Sequence, residues 1–176
     1  MAVPTKPDLV KLFIGILFQE EPVMKKALAF LNKKFGPFDL ITTNIPFTNS
    51  HYYEDIGKKL CKVFVSCEKL IDREKIVNIK LYTNWVEQKV SGKNKKRKVN
   101  IDPGFMTLSN VFLASCKDFY HRAYLSKGVF IENEYMFKSK EYHFWEWTYP
   151  DYRKKEYLDF FYSLRKIYQN QLKKGK

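Results

Sequence analysis

An apolar run near the start of the chain constrains the fold more than any other feature. Residues 12–18 read Leu-Phe-Ile-Gly-Ile-Leu-Phe, so no polar side chain falls on either alternating face. A strand of this composition has to be covered on both faces, which requires structure above and below its sheet. The run is too short for a membrane helix, and no secretory cleavage site follows it. The sequence therefore predicts a buried central strand, with neither export nor membrane insertion.

Periodic patterns after this run predict helices and strands in the order βαββαβ. A tight turn is expected at Asp102-Pro103-Gly104, because these residue types favour turns. The order is typical of a ferredoxin-like core with an antiparallel sheet. The helical patterns cover residues 20–35 and 72–90, the strand patterns cover 38–47, 61–67 and 99–101, and a polar segment lies at 49–59.

The C-terminal part predicts an extension of that sheet and a last helix. Extended patterns recur between residues 111 and 136, and a β-hairpin is expected near residues 138–141. Pro150 and Asp151 suit the first turn of a helix whose apolar stripe continues to Leu172. We expect one α+β domain over residues 1–176, with the βαββαβ core at 1–107, extra strands at 108–148 and the C-terminal helix at 149–173.

The net charge of the chain suggests the kind of binding partner, and its cysteine content suggests the cellular compartment. Lys and Arg outnumber Asp and Glu by 32 to 19, giving a net charge of +13 that favours RNA, a nucleotide or another anionic partner. The alternative is a lysine-rich surface that only confers solubility. The three cysteines, Cys61, Cys67 and Cys116, are too few and too scattered for a disulfide framework, so a cytoplasmic location is predicted.

An aromatic segment at residues 142–153 is the strongest indication of a site. It holds six aromatic rings among His, Glu, Asp and Arg side chains, a mixture that favours a binding surface or pocket rim. Exposed Trp145 and Trp147 would stack on bases. Core packing or a homo-oligomer interface is the alternative, and the sequence leaves the oligomeric state open.

A basic loop offers phosphate contacts for the same partner. It comprises Lys93, Lys95, Lys96, Arg97 and Lys98, which would anchor a nucleic-acid backbone. A solvated cluster of charges on a turn is the simpler interpretation.

Carboxylates in the second half suggest enzymatic chemistry instead. Glu132 and Glu134 are two residues apart in a predicted strand, so both would face one way and could bind Mg²⁺ or Mn²⁺ or act as acid and base. A solvent-facing strand edge is the simpler interpretation of this pair. His121 and Arg122 could join them across a hairpin. The catalytic candidates for metal-assisted phosphate-ester chemistry are Asp102, His121, Glu132 and Asp151.

Several familiar motifs are missing from the sequence. A phosphate-binding loop needs an earlier glycine at a fixed spacing before its Gly-Lys pair. Tyr52 stands at that position before Gly57-Lys58, and Glu87 stands there before Gly92-Lys93. The three histidines show neither zinc spacing nor a neighbouring cysteine cluster, so no metal site is assigned and no cofactor is identified.

Four short motifs carry a family resemblance. With them the chain resembles, nearly end to end, a bacterial and archaeal family called domain of unknown function 4416. The motifs are Asn100-Ile101-Asp102-Pro103-Gly104, Leu113-Ala114-Ser115-Cys116-Lys117, His121-Arg122-Ala123-Tyr124-Leu125 and Thr148-Tyr149-Pro150-Asp151-Tyr152-Arg153.

The resemblance implies a shared pocket without an established role for any residue. Some members are labelled GTP-binding, which makes a GTP-binding protein without a phosphate-binding loop another alternative. The matching positions are Asn100, Asp102, His121, Arg122, Glu132, Tyr149, Asp151 and Arg153. Combined with the aromatic segment, the predicted ligand-binding residues are Asn100, Arg122, Trp145, Trp147, Tyr149, Tyr152 and Arg153.

Overall fold

A computed structural model describes residues 1–48, 53–91 and 96–174. Within these ranges the chain forms one nine-stranded antiparallel sheet and three α-helices, so the mixed α and β class is confirmed. The helices are α1 (Glu21–Phe35), α2 (Ile76–Ser91) and α3 (Lys155–Lys174). The strands are β1 (Lys11–Phe18), β2 (Phe38–Ile41), β3 (Ile45–Phe47), β4 (Leu60–Cys67), β5 (Val99–Met106), β6 (Asn110–Ser115), β7 (Ala123–Ser126), β8 (Val129–Lys138) and β9 (Glu141–Phe144).

The predicted central strand is confirmed. β1 lies between β4 and β5, and all eight of its residues are buried. The strand order is β2-β4-β1-β5-β6-β8-β7, with β3 pairing with β4 and β9 pairing with β8. Because the sheet has nine strands, the narrower assignment of a ferredoxin-like core stays a prediction.

Helices cover both faces of the sheet, as the apolar run requires. Leu12, Ile14 and Ile16 pack on one face with residues of α1 and α2. On the opposite face Phe13 meets Phe161 of α3 edge to face, with ring centroids 5.0 Å apart. Burying each such side chain contributes about 1.5–3 kcal/mol, so these two layers supply the main stabilisation of the fold.

The expected turn at Asp102-Pro103-Gly104 is wrong, because β5 runs straight through these residues. β6 pairs with β5 only from Gly104 onward, so Pro103 stands where that side of β5 has no strand partner among the described residues. Proline lacks the N–H that a neighbouring strand would use and is tolerated at such an edge. A side chain at Gly104 would lie 2.3 Å from the Phe112 carbonyl oxygen, so glycine permits β6 to approach.

Three other boundaries differ from the sequence prediction or refine it. Pro150–Arg153 forms a short 3-10 turn, and α3 begins only at Lys155, because Lys154 is extended and ends the turn. The single strand expected at 38–47 is two short strands. The hairpin near 138–141 is confirmed: β8 and β9 join through Ser139 and Lys140, both with positive φ. Of the polar segment at 49–59, residues 49–52 lie outside the described residues.

In the described ranges, none of the helices combines the length and the apolar character needed to cross a membrane. Cys61, Cys67 and Cys116 are free thiols.

Candidate functional site

The sheet splits between β5 and β6, and a cavity of about 610 Å³ lies in the split. The two strands pair only over Gly104–Met106 and Val111–Leu113. The cavity is enclosed by β5, β6, α2 and the turn at 149–152. Its volume lies in the range of small-molecule pockets, about 300–1,000 Å³.

Side chains of α2 replace the strand that is missing beside β5. The Ile101 N–H donates to Oε1 of Glu87, and Nζ of Lys80 donates to the Ile101 carbonyl oxygen at 3.0 Å. Both peptide groups of Ile101 on the open edge of β5 are thereby hydrogen-bonded, as burial of a strand edge requires. The helix thus supplies these partners while the cavity stays open.

A chain of hydrogen bonds forms one wall of the cavity. Arg97 makes two 2.8 Å contacts with the Asp55 carboxylate and donates to Oδ1 of Asn100 at 3.3 Å. Asn100 donates to Asp102, which also pairs with Lys80 at 3.1 Å. Burial opposes the ionisation of Asp102, but the charges of Lys80 and Lys62 outweigh it and hold the pKa of this carboxyl below its usual value.

A buried lysine lies beneath the cavity. Nζ of Lys62 is 4.8 Å from the ring centroid of Tyr152 and 5.3 Å from those of Phe64 and Tyr157. Its acidic partner, Asp151, is 3.5 Å away, and both side chains are 8% exposed. Charge-assisted hydrogen bonds are usually about 2.7–2.9 Å long, so this ion pair is loose. The adjoining cavity gives a ligand access to it.

The opposite wall is built around Glu132. His121 Nε2 lies 2.6 Å from one carboxylate oxygen, and Arg122 Nη2 lies 3.1 Å from the other. Arg122 also donates to the Tyr149 hydroxyl at 2.7 Å and to the Lys117 carbonyl oxygen at 3.1 Å. Burial raises the pKa of Tyr149 to about 12, so its hydroxyl keeps its proton. The β7–β8 hairpin thus brings three of the sequence-predicted residues together.

Two further carboxyls hold protons near neutral pH. Glu87 lines the cavity, and burial raises its pKa to about 7. Glu134 forms a bulge in β8, where neither of its buried oxygens has a hydrogen-bond partner in the described part of the chain. Burial first, and then the charge of Glu132, raise the pKa of Glu134 to about 8.

The aromatic segment is divided between the core and a surface stack. Tyr152 is buried beneath α3, as is Tyr142. Trp147 stacks on both Trp145 and His121, with centroid distances of 5.3 Å. The indole N–H of Trp147 donates to a backbone carbonyl oxygen. Both tryptophans are half-buried, and much of their ring surface is therefore already occupied.

The remaining sequence-predicted residues fall outside the cavity or only partly within it. Arg153 is exposed, donates to the Trp145 carbonyl oxygen and covers the Phe144 ring. In the basic loop, Lys93 and Lys95 lie outside the described residues, Lys96 is exposed and Lys98 pairs with Glu20 at 3.6 Å. Of the three loop residues that the structure describes, Arg97 lines the cavity and Lys96 and Lys98 do not.

Sequence reasoning missed three charged residues of the site, Lys62, Lys80 and Glu87. Lys62 interrupts the apolar strand pattern of β4, and Lys80 interrupts the apolar stripe of α2. Lysine is almost never fully buried without a partner, so these interruptions were a usable signal. Nothing local distinguished Glu87 from a surface glutamate.

Residues 1–48, 53–91 and 96–174 contain no group of three or more His, Cys, Asp or Glu side chains placed to hold a metal ion. Asp102, Glu132 and Asp151 line the same cavity, but they do not gather as a ligand set.

The family assignment rests on a match over most of the chain. A family model described as Domain of unknown function (DUF4416) matches residues 8–168. The chain belongs to this family. The resemblance carried by the four sequence motifs is therefore confirmed, and all four fall inside the matched region. No curated protein and no solved structure matches the chain.

Proposed function

We propose that this member of the family binds a small, nucleotide-class molecule of low net charge in the cavity between β5 and β6. The observation that carries the proposal is the split itself. Two strands diverge, α2 satisfies the exposed backbone of β5, and a cavity lined by charged and aromatic side chains remains. Ligand sites are usually preformed pockets of this kind, in which a few polar groups point into the same space.

The charges around the cavity favour a ligand of low net charge. Lys62 and Lys80 pair with Asp151 and Asp102, and Arg97 pairs with Asp55. A triphosphate would have to displace several acidic groups to reach these cations. A nucleoside needs no cation and a nucleoside monophosphate needs only one, and the loose Lys62–Asp151 pair is the most readily opened.

Aromatic side chains supply the surface for a base. Phe47, Tyr53 and Tyr149 line the cavity together with Tyr152. Stacking of a base on such a ring contributes roughly 1–3 kcal/mol. A cleft of about 610 Å³ suits one nucleotide better than a continuous RNA strand.

Calorimetric titration tests the proposal. Adenosine, AMP, GMP, GTP and a single-stranded RNA would each be titrated at low and moderate salt. We expect a nucleoside or monophosphate to bind with weak salt dependence, and Lys62→Met to weaken binding of the monophosphate about tenfold. Lys69→Met, a change at an exposed position outside the cavity, is the matched control.

Steeply salt-dependent RNA binding that mononucleotides do not displace would contradict the proposal, because it would place the anionic partner on the surface. Absence of binding by every compound would contradict it as well.

A second candidate function, acid–base catalysis on the bound molecule, is favoured by Glu87. Its pKa of about 7, raised by burial, suits proton transfer at neutral pH. Glu87→Gln retains the oxygen that accepts the Ile101 N–H, so we expect the variant to bind ligand but not convert it. Mass spectrometry of the ligand after incubation with each protein measures this directly. Conversion that survives the substitution would rule out Glu87 as the proton-transfer group.

A further inference from the structure

A second, shallower cavity adjoins the first. It is a groove of about 370 Å³ formed by residues 117–122 together with Trp147 and Tyr149. Lys117 and Tyr149 line both the groove and the main cavity. The two spaces are therefore neighbours that share part of their lining.

The groove presents aromatic rings that the fold does not bury. Phe119 is 56% exposed and Tyr120 is 71% exposed, with their ring centroids 5.0 Å apart. Both rings contact His121 edge to face, at 5.3 and 4.9 Å. Two adjacent large rings left in solvent contribute little to folding and form an apolar surface that a ligand can contact.

The segment that carries these rings is held in place. The Arg122 N–H donates to the Phe119 carbonyl oxygen at 3.0 Å, and the Arg122 guanidinium donates to the carbonyl oxygen of Lys117. The same guanidinium bonds to Glu132 and to Tyr149 in the wall of the main cavity. One arginine thus fixes both the groove and the cavity wall, and the rings are presented without a large ordering cost.

The junction between the two spaces carries two cations and two carboxylates. Lys117 lines both spaces, and Arg122 lines the groove while bonding to Glu132 and Tyr149 of the cavity. Asp118 also lines the groove, so the charges at the junction are balanced. Nε of Arg122 has no hydrogen-bond partner in the described part of the chain, and together with Lys117 it offers donors to one short phosphate link between two ring groups.

We propose that the cavity and the groove form one bipartite site for a dinucleotide-class ligand. One nucleoside occupies the cavity between β5 and β6, the second base lies against Phe119 and Tyr120, and a short phosphate bridge passes Lys117 and Arg122. This inference rests on the proposed nucleotide binding and specifies the ligand further. The continuity of the two spaces favours a second part of one small ligand over a separate protein partner.

Comparison of AMP with diadenosine diphosphate, titrated calorimetrically into the full chain, tests this inference. We expect the dinucleotide to bind at least tenfold more tightly than AMP. The double variant Phe119→Ala/Tyr120→Ala should lose that gain while its AMP affinity stays at the wild-type value, which also shows that the variant is folded. Tyr124→Ala is the matched control, because Tyr124 is a 62% exposed tyrosine on β7 outside both spaces.

The outcomes separate the two proposals. AMP binding without any gain for the dinucleotide overturns the bipartite site and leaves the proposed function standing. A gain that survives in the double variant, or one that Tyr124→Ala also removes, overturns the role of the groove. Failure of both compounds to bind overturns the bipartite site, and the proposed function is overturned with it when adenosine and GMP also fail to bind.

Discussion

Two lysines are buried on the same face of the sheet, beneath or beside α3, and their surroundings differ. Lys11, at the start of β1, contacts the Asp39 carboxylate and donates to Oε1 of Gln171 in α3 at 2.9 Å. Ser66 donates to the same Asp39, so the charges at this end are enclosed by partners. Lys62, near the other end of β1, has Asp151 at 3.5 Å and an open cavity beside it.

Polar partners and adjoining space distinguish a buried charge that stabilises the fold from one that is available to bind a ligand. A lysine that is 0% exposed and surrounded by hydrogen-bond acceptors holds β1, β2, β4 and α3 together. A lysine with one loose partner and adjoining space is ready to bind something else. Satisfied polar networks stabilise the fold, whereas incompletely satisfied ones mark sites.

The largest effect is expected at the enclosed end. Asp39→Asn preserves the side-chain shape but removes the negative charge that faces Lys11, whose side chain is 0% exposed. Breaking a buried ion pair costs about 3 kcal/mol or more, so the free energy of unfolding should fall by that amount. Urea denaturation measures the change. A loss below about 1 kcal/mol would mean that Lys11 is not held by its charge partner.

The next effect concerns the point where β5 and β6 separate. Gly104→Ala would place a Cβ atom 2.3 Å from the Phe112 carbonyl oxygen and 2.4 Å from Cζ of Phe13. We expect a loss of about 2 kcal/mol from this overpacking, measured by the same denaturation. Gly15→Ala in β1 is the control, since its closest contacts, at 3.0 and 3.1 Å, are with side-chain atoms only. Equal losses of unfolding free energy at Gly15 and Gly104 would contradict a special requirement for glycine where β5 and β6 separate.

Glu134 should make the open end sensitive to pH. Its pKa of about 8 in the folded protein lies above the ordinary value of 4.5, so the unfolded chain loses this proton first as pH rises. Stability therefore falls between about pH 4.5 and 8, and Glu134→Gln, which mimics the protonated form, should remove that fall.

We expect Glu134→Gln to be more stable than the wild-type protein by on the order of 2 kcal/mol at pH 8.5 and nearly equal to it at pH 4. Urea denaturation at both pH values checks this, with the exposed Glu141→Gln as control. The same difference at both pH values would show that ionisation of Glu134 is not its cause.

The smallest effect on stability is expected from Asp151→Asn, the counterpart of Asp39→Asn. Because the pair is loose and borders the cavity, we expect the free energy of unfolding to fall by about 1 kcal/mol, less than for Asp39→Asn. The affinity for a bound mononucleotide should nevertheless change severalfold, which calorimetry measures. A stability loss as large as that of Asp39→Asn would remove the distinction between the two ends.

The spacing of apolar residues along the chain predicted those parts of the fold that depend on neighbouring residues in the sequence. The apolar faces of residues 12–18 required a covered central strand, and helical spacing predicted α1 and α2. At Asp102-Pro103-Gly104 the same reasoning failed, because turn residues also suit a strand that lacks a neighbour. The difference depends on where β6 begins to pair, and no local pattern contains that information.

The sequence predicted part of the candidate site, including Arg97 and Arg122, but not its buried lysines or Glu87. Asn100, Asp102, Tyr149 and Asp151 line the cavity, whereas Trp145 and Trp147 stack on each other outside it. The contributions of Lys62, Lys80 and Glu87 require knowledge of which strands and helix meet.

By itself the sequence determined the mixed α and β class, the buried position of β1, the β8–β9 hairpin and membership of the family, since spacing, turn chemistry and motifs are local properties. Only the tertiary structure decided that β5 and β6 separate, that α2 satisfies the freed backbone, and that one buried lysine is enclosed while another borders a cavity. These features arise from pairing between residues distant in the chain, where register and packing act together and single positions carry no sign of them.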